Sequence, residues 1–213
     1  LGADALILAD LGLLAYATDR HPLVRRHLSV QAAAANADTI NFYAREFGVR
    51  RVVLPRVLTI DEIAAINREI DCETEAFVFG SLCVMAEGRC SLSSYVTGAS
   101  PNLNGVCSPG SQVAYRECDG KLVSELGGFA IHKVDRSEPA PYPTICKGYF
   151  SAGDFHGHVF EEPAGLDGSA LIPQLAMAGV TALKIEGRQR SRAYVGAAVR
   201  NLRRAIDNYA AGL

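Results

Sequence analysis

The chain has 213 residues, of which 49% are hydrophobic, and a formal net charge of -2, so it can bury the core of a globular protein. This charge gives no bulk attraction to nucleic acid or to anionic membranes, although positive charge can still be concentrated locally. No apolar run reaches the roughly 20 residues of a membrane span, and no signal peptide is visible, so we expect a cytoplasmic protein.

Short β-type runs alternate with helical patterns along much of the chain. The runs cover residues 5–9, 27–31, 50–55 and 73–80, which begin about 23 residues apart, and a fifth covers residues 182–187. Helix-period segments cover residues 37–47, 59–70 and 190–209, and the second begins with Thr59 and Glu62 spaced as a capping box. This βα rhythm favours a parallel sheet.

We therefore predict an α/β fold of the TIM-like (βα)8 barrel type. Five strands cannot close such a barrel, so we expect its opening strands to lie upstream of Leu1, in a chain truncated at its N-terminus. The helix over residues 190–209 has an apolar stripe that suits the outer layer of a barrel. A doubly wound sheet is the alternative architecture.

The rhythm stops between Gly80 and Asp167, where most of the prolines and several turn dipeptides lie. We predict three segments: barrel units over residues 1–80, a cysteine-bearing insertion over residues 81–167, and the last βα unit over residues 168–213. Alternating runs over residues 111–118 and 121–124 predict a small hairpin. An insertion after a barrel strand lies at the face where barrel active sites are built.

Four cysteines of the insertion, Cys83, Cys90, Cys107 and Cys146, follow the pattern C-x6-C-x16-C-x38-C. Intracellular cysteines are more often metal or redox ligands than disulfides. Zinc sites usually contain a close C-x2-C pair, which is absent from this sequence, whereas a larger iron-sulfur cluster suits dispersed cysteines. Spacing alone favours a cluster but leaves a zinc site and the absence of any metal open.

The remaining cysteines, Cys72 and Cys118, are expected to be ordinary packed residues. On a straight helix, Cys83 and Cys90 would be about 10.5 Å apart along the axis. We therefore expect the chain to bend near Gly88.

The first two cysteines belong to a longer motif over residues 75–93. Its pattern is E-x-F-x-x-G-[SA]-[LM]-C-x4-G-x-C-x-[LIVM]-S, and every fixed position is matched. The motif resembles the signature of peptidase family U-32, the collagenase-like peptidases. Shorter matches at residues 27–31, 54–56 and 183–188 extend the resemblance over most of the chain.

Within that family, the cysteine spacing is similar to that of the UbiU branch. The resemblance implies a 4Fe-4S cluster on the four cysteines and oxygen-independent hydroxylation of a ubiquinone precursor, with prephenate as the oxygen donor. It also implies a heterodimer with a UbiV-like partner subunit and a UbiT-like lipid carrier that presents the substrate. Ser111 stands where other branches place a further cysteine, which argues against those branches.

Candidate ligand-binding residues end the predicted strands. Lys184, Glu186 and Arg188 alternate along the last strand and its exit, so they share one face, which is the interior of a barrel. Arg188 is suited to a dicarboxylate such as prephenate, whereas ion pairs filling the barrel are the alternative interpretation. Gln31 and Arg56 end earlier strands and are expected to line the same pocket.

Other polar residues have simpler interpretations. Glu75 is expected to have a structural role, and His132 to be an ordinary surface or core histidine. His156 and His158 form the H-x-H pattern of some metal-dependent barrels, but their glycine and aromatic neighbours predict a turn. The chain has neither H-E-x-x-H nor G-x-S-x-G, so we do not expect peptidase activity, and no catalytic residue is identified.

Three functional hypotheses follow: a quinone hydroxylase, the same chemistry on tRNA or rRNA, and a non-catalytic scaffold or electron relay for a partner. The stretch from Lys184 to Arg204 contains seven basic residues and one acid, which supports an RNA substrate. The negative net charge and the cysteine spacing favour the quinone. A solvated helix face is the simpler interpretation of the basic stretch.

Overall fold

The computed structural model describes residues 2–101, 103, 105–160, 165–187 and 190–212 as a mixed α/β protein. The strands are β1 (Ala5–Leu8), β2 (Arg25–Leu28), β3 (Val49–Val53), β4 (Glu73–Ser81), β5 (Val113–Cys118), β6 (Lys121–Leu126), β7 (Phe129–Asp135), β8 (Tyr149–Ala152), β9 (Phe155–His158), β10 (Gly165–Asp167) and β11 (Ala182–Ile185). The α-helices are α1 (Leu11–Arg20), α2 (Ala37–Phe47), α3 (Ile60–Glu69), α4 (Ser91–Thr97), α5 (Ile172–Met177) and α6 (Arg192–Ala210). Short 3-10 helices are formed by Val30–Ala32, Gly110–Gln112, Ile145–Lys147 and Ser169–Leu171.

The chain divides into two compact units. Unit 1 consists of Leu1–Leu82 and Gly165–Leu213, and unit 2 is Cys83–Ala164. From the sequence, the cysteine-bearing insertion was predicted to cover residues 81–167.

Unit 1 is built on one six-stranded sheet. Strands β1, β2, β3 and β4 are parallel neighbours in chain order, and β11 pairs in parallel with β4. Phe79 of β4 pairs with both Asp167 of β10 and Ile185 of β11, so these two strands lie at opposite edges of β4. The predicted α/β fold with parallel strands is thus confirmed, apart from the antiparallel β10.

The described strands do not close into a barrel, because β1 is the last described strand at its edge of the sheet. Nevertheless, β1 to β4 follow one another without reversal, whereas a doubly wound sheet reverses its strand order at a switch point. The strand order therefore favours consecutive barrel units, and barrel closure stays a prediction.

One face of the sheet carries the helices and the main core. Side chains alternate along a strand, so Thr74, Ala76 and Val78 of β4 point to one face and are almost fully buried. Leu14 of α1 and Ile40 of α2 are fully buried in the same unit, and both belong to one apolar cluster with Ala76 and Val78. The opposite face of β4 carries acidic and aromatic residues and is described below.

Local sequence signals explain where the helices begin. Thr59 caps α3 as predicted: its hydroxyl accepts from the Glu62 N–H, and the Glu62 carboxylate accepts from the Thr59 N–H at 2.7 Å. The hydrogen bonds that the Thr59 N–H and the Thr59 hydroxyl donate to the Glu62 carboxylate lower the pKa of this carboxyl. Asn36 caps α2, which covers the predicted residues 37–47.

Arg26 is a buried arginine on the helix-bearing face. Its Nε donates to the Phe47 carbonyl oxygen at 2.7 Å, and its Nη1 donates to the carbonyl oxygens of His21 at 3.2 Å and Val24 at 3.0 Å. The guanidinium thereby adds charged hydrogen bonds to carbonyl groups at the end of α2 and before β2, two of which also accept from the Thr18 hydroxyl and the Val24 N–H.

Unit 2 contains a three-stranded antiparallel sheet, β5-β6-β7, and the two-stranded sheet β8-β9. The predicted hairpin is confirmed as β5 and β6, whereas the third strand, β7, was not predicted. Leu126 and Ile131 are almost fully buried in a small core with Val96 of α4. Among the described residues, no helix is long and apolar enough to cross a membrane.

Candidate functional site

All four cysteines of the predicted ligand set lie in unit 2. Cys83 follows β4, Cys90 is the N-cap residue of α4, Cys107 lies before the 3-10 helix Gly110–Gln112, and Cys146 lies in the 3-10 helix Ile145–Lys147. All six cysteines of the chain are among the described residues, and none is disulfide-bonded. The four residues are therefore thiols carried by one folded unit.

Buried Ser93 links two of these cysteines. Its backbone N–H donates to the Cys90 sulfur at 3.3 Å, and its hydroxyl donates a short hydrogen bond to the Cys107 carbonyl oxygen. Since Ser93 lies in the first turn of α4, both residues are attached to the start of this helix.

Cys146 is attached to the same helix by packing. Helix α4 contacts the 3-10 helix that carries Cys146, and the neighbouring Ile145 packs against the core that contains Val96. Three of the four cysteines are thus connected to α4.

Cys83 reaches this region through a turn. Its sulfur donates to the Met85 carbonyl oxygen at 3.6 Å, the Arg89 N–H donates to the Ala86 carbonyl oxygen at 3.0 Å, and Gly88 has a φ of 76°. The bend predicted near Gly88 is therefore confirmed, because a φ in this region suits glycine.

The four cysteines match the donor type of an iron-sulfur cluster, which is held by thiolates. Within the part of the chain that the structure describes, no three His, Cys, Asp or Glu side chains are gathered to hold a single metal ion. A cluster is larger and takes one thiolate at each iron, so its ligands are more dispersed. The four thiols of unit 2 meet this requirement in number and type.

The other two cysteines are placed differently. Cys72 belongs to unit 1 and packs against the core, and burial raises the pKa of its thiol to about 11. Cys118 ends β5, and its sulfur donates to the Asp119 carboxylate at 3.4 Å. Cys72 is therefore a packed residue, as predicted, and its protonated thiol is a poor nucleophile.

Three of the five histidines, His132, His156 and His158, lie on strands of unit 2. The predicted turn at His156 and His158 is wrong, since both lie in β9, which pairs with β8. The His158 Nδ1 lies 3.0 Å from the Gly148 carbonyl oxygen, and the His156 Nδ1 lies 2.8 Å from the Ser151 hydroxyl. His132 is buried, and burial together with the nearby His158 lowers its pKa.

The face of the unit 1 sheet opposite the helices carries a row of ion pairs. Glu73 accepts from Arg25 at 2.6 Å and from Arg51 at 2.7 Å. Its neighbour on the same face, Glu75, accepts from Lys184 at 2.8 Å and lies 3.7 Å from Arg51. Glu75 therefore has a structural role in this row, in agreement with the prediction.

His27 is a buried member of the same face that the sequence analysis did not single out. The Arg25 Nε donates to its Nε2 at 3.0 Å, so this nitrogen is an acceptor. Burial, followed by the positive charges of Arg51 and Arg25, lowers the pKa of His27. In the sequence, the alternation of Arg25 and His27 along β2 was the pattern that could have identified His27 as a member of this face.

At the carboxyl ends of the strands, Arg56 forms a second contact group. Its side chain is only 8% exposed, its Nη2 lies 2.6 Å from a Glu186 carboxylate oxygen, and its guanidinium carbon lies 3.5 Å from the centroid of the Phe77 ring. Gly80 permits this arrangement, because a Cβ at this position would lie 2.6 Å from the Glu186 Cβ. Arg56, Phe77 and Glu186 are therefore packed tightly together.

Of the other predicted ligand-binding residues, the two that the structure describes, Gln31 and Lys184, are not part of this group. Gln31 lies in the 3-10 helix after β2, where its N–H donates to the Ser29 hydroxyl at 3.3 Å. Arg188 lies outside the described residues. Of the five candidates, Arg56 and Glu186 form one pair, and Lys184 pairs with Glu75.

A small cavity adjoins Arg56 and Phe77. It has a volume of about 230 Å³ and is otherwise mostly apolar, with Leu54, Leu166 and Leu171 in its wall. Small-molecule sites combine an apolar wall with a few polar groups, and they favour the carboxyl ends of parallel strands.

Comparisons with known proteins agree on one family. The sequence profile of Peptidase family U32 matches residues 1–213. The chain is 35% identical to the tRNA hydroxylation protein P of Escherichia coli, over 100% of this chain and 50% of that protein. It is 30% identical to the tRNA hydroxylation protein P1 of Bacillus subtilis, over 97% of this chain and 43% of that protein.

Relatives with other names also match. The chain is 28% identical to the 23S rRNA 5-hydroxycytidine C2501 synthase of Escherichia coli over 97% of this chain and 26% of that protein. It is also 28% identical to a collagenase of Porphyromonas gingivalis over 98% of this chain and 45% of that protein. No solved structure gives a significant match.

The chain spans about half the length, or less, of these curated relatives. The profile match covers the whole chain, and the sequence motif over residues 75–93 is the one typical of the same family. This chain belongs to peptidase family U32.

Proposed function

We propose that this chain is part of an oxygen-independent hydroxylase that modifies RNA and carries one 4Fe-4S cluster on Cys83, Cys90, Cys107 and Cys146. The observation that carries the proposal is the alignment of nearly the whole chain with relatives named for hydroxylation of tRNA and of 23S rRNA. Because of these relatives, RNA takes the place of a ubiquinone precursor as the leading substrate of the proposal. The proposed reaction, oxygen-independent hydroxylation, is the same.

The cysteines of unit 2 support the cluster. When bound, such a cluster supplies electron transfer at a potential set by hydrogen bonds to its sulfurs and by solvent exposure. Ser93 donates to the Cys90 sulfur and to the Cys107 carbonyl, so it orients two of the four proposed ligands. Cys107 is exposed, and we expect this side of the site to be the most accessible to oxygen.

Prephenate is the proposed oxygen donor, bound at the carboxyl ends of the unit 1 strands. Arg56 is buried and oriented by Phe77, and a guanidinium binds carboxylates through parallel hydrogen bonds. A ligand carboxylate would replace that of Glu186 on Arg56. Lys184, together with Gln31 and Arg188, is proposed to complete the site.

The charged face provides electrostatic support for an anionic donor. Among the described residues, Arg25, Arg51 and Lys184 pair with two carboxylates, those of Glu73 and Glu75. This excess of positive charge favours an anion in a partly buried site. We further propose that this face becomes the interior of a complete (βα)8 barrel in the full-length protein.

The cluster is tested by metal analysis of the full-length protein purified without oxygen. We expect iron and acid-labile sulfide in equal amounts and a brown absorbance that Cys107→Ala loses. The matched control is Cys118→Ala, which removes a thiol of the same unit outside the ligand pattern and should keep the absorbance. Zinc in place of iron, or full iron content in Cys107→Ala, would contradict the proposal.

The substrate is tested by nucleoside mass spectrometry after anaerobic growth of a deletion strain. We expect one hydroxylated nucleoside to disappear in the deletion, and to return with the wild-type gene and with Cys118→Ala but not with Cys107→Ala. An unchanged nucleoside profile would contradict the RNA assignment.

The second candidate is hydroxylation of a ubiquinone precursor, with a UbiV-like partner subunit and a UbiT-like lipid carrier. It is favoured by the C-x6-C-x16-C-x38-C spacing and by Ser111. The quinone profile of the same cultures separates the two candidates, because a missing quinone beside intact nucleosides would support this one. Reconstituting each subunit separately would show whether this chain alone supports turnover.

Peptidase activity is a further alternative, because one relative is named a collagenase. The raised thiol pKa of Cys72, about 11, makes this residue an unsuitable nucleophile. We expect no cleavage of gelatin by the purified protein, with or without oxygen. Cleavage that persists in Cys107→Ala would support a hydrolytic function instead.

A further inference from the structure

Helix α6 concentrates positive charge on a chain whose net charge is negative. It has 19 residues, with four arginines and one acid, Asp207. At 100° per residue, Arg192, Arg200, Arg203 and Arg204 lie within one third of the helix circumference. We call these four residues the arginine face, and all of them are exposed.

The opposite side of α6 is packed onto unit 1. Ala198 and Leu202 are buried, and Ala205 and Ile206 pack against the main core. This packing fixes the rotation of the helix, so the arginine face stays in solvent.

Pairing within the helix neutralises only part of this charge. Arg203 lies 2.6 Å from Asp207, and both side chains are largely exposed, so solvent screens this pair. Asp207 is the only acid among the residues of α6. In the part of the chain that the structure describes, Arg203 is the only member of the arginine face with an ion pair, so the helix presents a net positive surface.

We propose that the arginine face of α6 binds the phosphate backbone of the RNA substrate. This inference rests on the proposed function and names a surface that holds the substrate. Arginine guanidinium groups match phosphate geometry, and backbone contacts supply much of the affinity for nucleic acids. Arg192 and Arg204 are about 18 Å apart along the axis, so the face can contact several successive phosphates.

An anionic membrane is the other large polyanion that such a face could meet. Helices that lie in a membrane interface insert an apolar face between the lipids. The apolar side of α6 is already packed against unit 1, so only electrostatic contact is available. The structure therefore favours RNA.

The test measures binding of unfractionated tRNA to the full-length protein over a range of salt concentrations. We expect Arg200→Gln/Arg204→Gln to lower the affinity roughly tenfold at 0.1 M salt. The slope of log affinity against log salt should decrease by about 2, since each lost phosphate contact removes about one unit. Circular dichroism checks that the variant is folded.

A matched control removes the same charge elsewhere. Arg116→Gln/Arg136→Gln acts on two exposed arginines of unit 2 that pair with Glu125 and Glu117. This control should keep the wild-type affinity and salt slope. The proposal is overturned if the α6 variant binds tRNA like the wild type, or if both double variants lose affinity equally.

Two further outcomes separate this inference from the proposed function. Normal hydroxylated nucleosides in a strain with Arg200→Glu/Arg204→Glu would overturn the role of the arginine face and leave the RNA assignment intact. Binding to vesicles of phosphatidylglycerol and phosphatidylcholine that depends on these arginines, without tRNA binding, would overturn the inference in favour of a membrane surface.

Discussion

Gly80→Ala tests the close packing of Glu186 against β4. Gly80 has a φ of 135°, a region that residues with a side chain rarely adopt. An added Cβ would lie 2.6 Å from the Glu186 Cβ and 3.0 Å from the Glu186 carbonyl oxygen. The backbone at the exit of β11 would have to move.

The expected cost has two parts. Forcing a residue with a side chain into an unfavourable backbone region costs about 1–3 kcal/mol. Overpacking at a tight contact costs about another 1–3 kcal/mol. A total of about 2–6 kcal/mol is a large part of the roughly 5–15 kcal/mol that stabilises a folded domain.

The assay is urea-induced unfolding of the full-length protein, followed by circular dichroism. Gly179→Ala is the matched control, because Gly179 also lies in unit 1 and has a φ of 89°, but the nearest atom to its Cβ would be the Asn67 Nδ2 at 3.3 Å. We expect Gly80→Ala to lower the free energy of unfolding by about 1–3 kcal/mol more than the control does. Equal losses would refute the tight contact between Glu186 and β4.

Three further substitutions test other features. Arg26→Met should lower the free energy of unfolding by about 3 kcal/mol in urea denaturation, because it removes the charged hydrogen bonds to the carbonyl oxygens of Phe47, His21 and Val24. His132→Gln should flatten the pH dependence of the free energy of unfolding. Burial lowers the pKa of His132, so the unfolded state binds more protons than the folded state does. The wild type should therefore lose stability as the pH falls below about 6.5, until the pH passes the lower pKa of the folded state. An equally steep loss in His132→Gln would contradict this assignment. Ser93→Ala should cost about 1 kcal/mol and shorten the lifetime in air of the brown absorbance expected for the proposed cluster, because the Cys107 carbonyl loses the hydrogen bond from the Ser93 hydroxyl; an unchanged lifetime would count against that role.

The elements of unit 1 could be predicted because their signals are local. The capping box at Thr59 and Glu62 marks the start of α3, and the apolar spacing of residues 37–47 matches α2. Each strand of the parallel series was located to within a few residues. Helix α1 was missed, since its apolar residues run almost continuously from Leu11 and show no clear period.

The site was predictable only where the residues share one element. The spacing of Lys184 and Glu186 placed them on one face, but their partners, Glu75 and Arg56, lie more than one hundred residues away. No periodic pattern carries such contacts, because they depend on which strands become neighbours. The hydrogen bond from Ser93 to the Cys107 carbonyl was missed because it joins helix α4 to a loop 14 residues away, whereas the contact of Ser93 with Cys90 is local to the start of α4.

Signals within unit 2 were weaker. Short strands such as β8 and β9 contain glycine and polar residues, so His156 and His158 were assigned to a turn. The third strand of the larger sheet was missed because a register shift between Ser124 and Glu125 interrupts its alternation.

Strand β10 brings the two ends of the cysteine-bearing segment close together in space. Ser81 and Gly165 are register partners on β4 and β10, so their Cα atoms are about 5 Å apart, although the chain between them makes up all of unit 2. A two-residue turn could join them, and replacing so long a loop would recover about 3 kcal/mol of closure entropy. The cysteine-bearing segment can therefore be removed in principle without separating the strands that flank it: a chain shortened in this way should retain its parallel sheet without these four thiols.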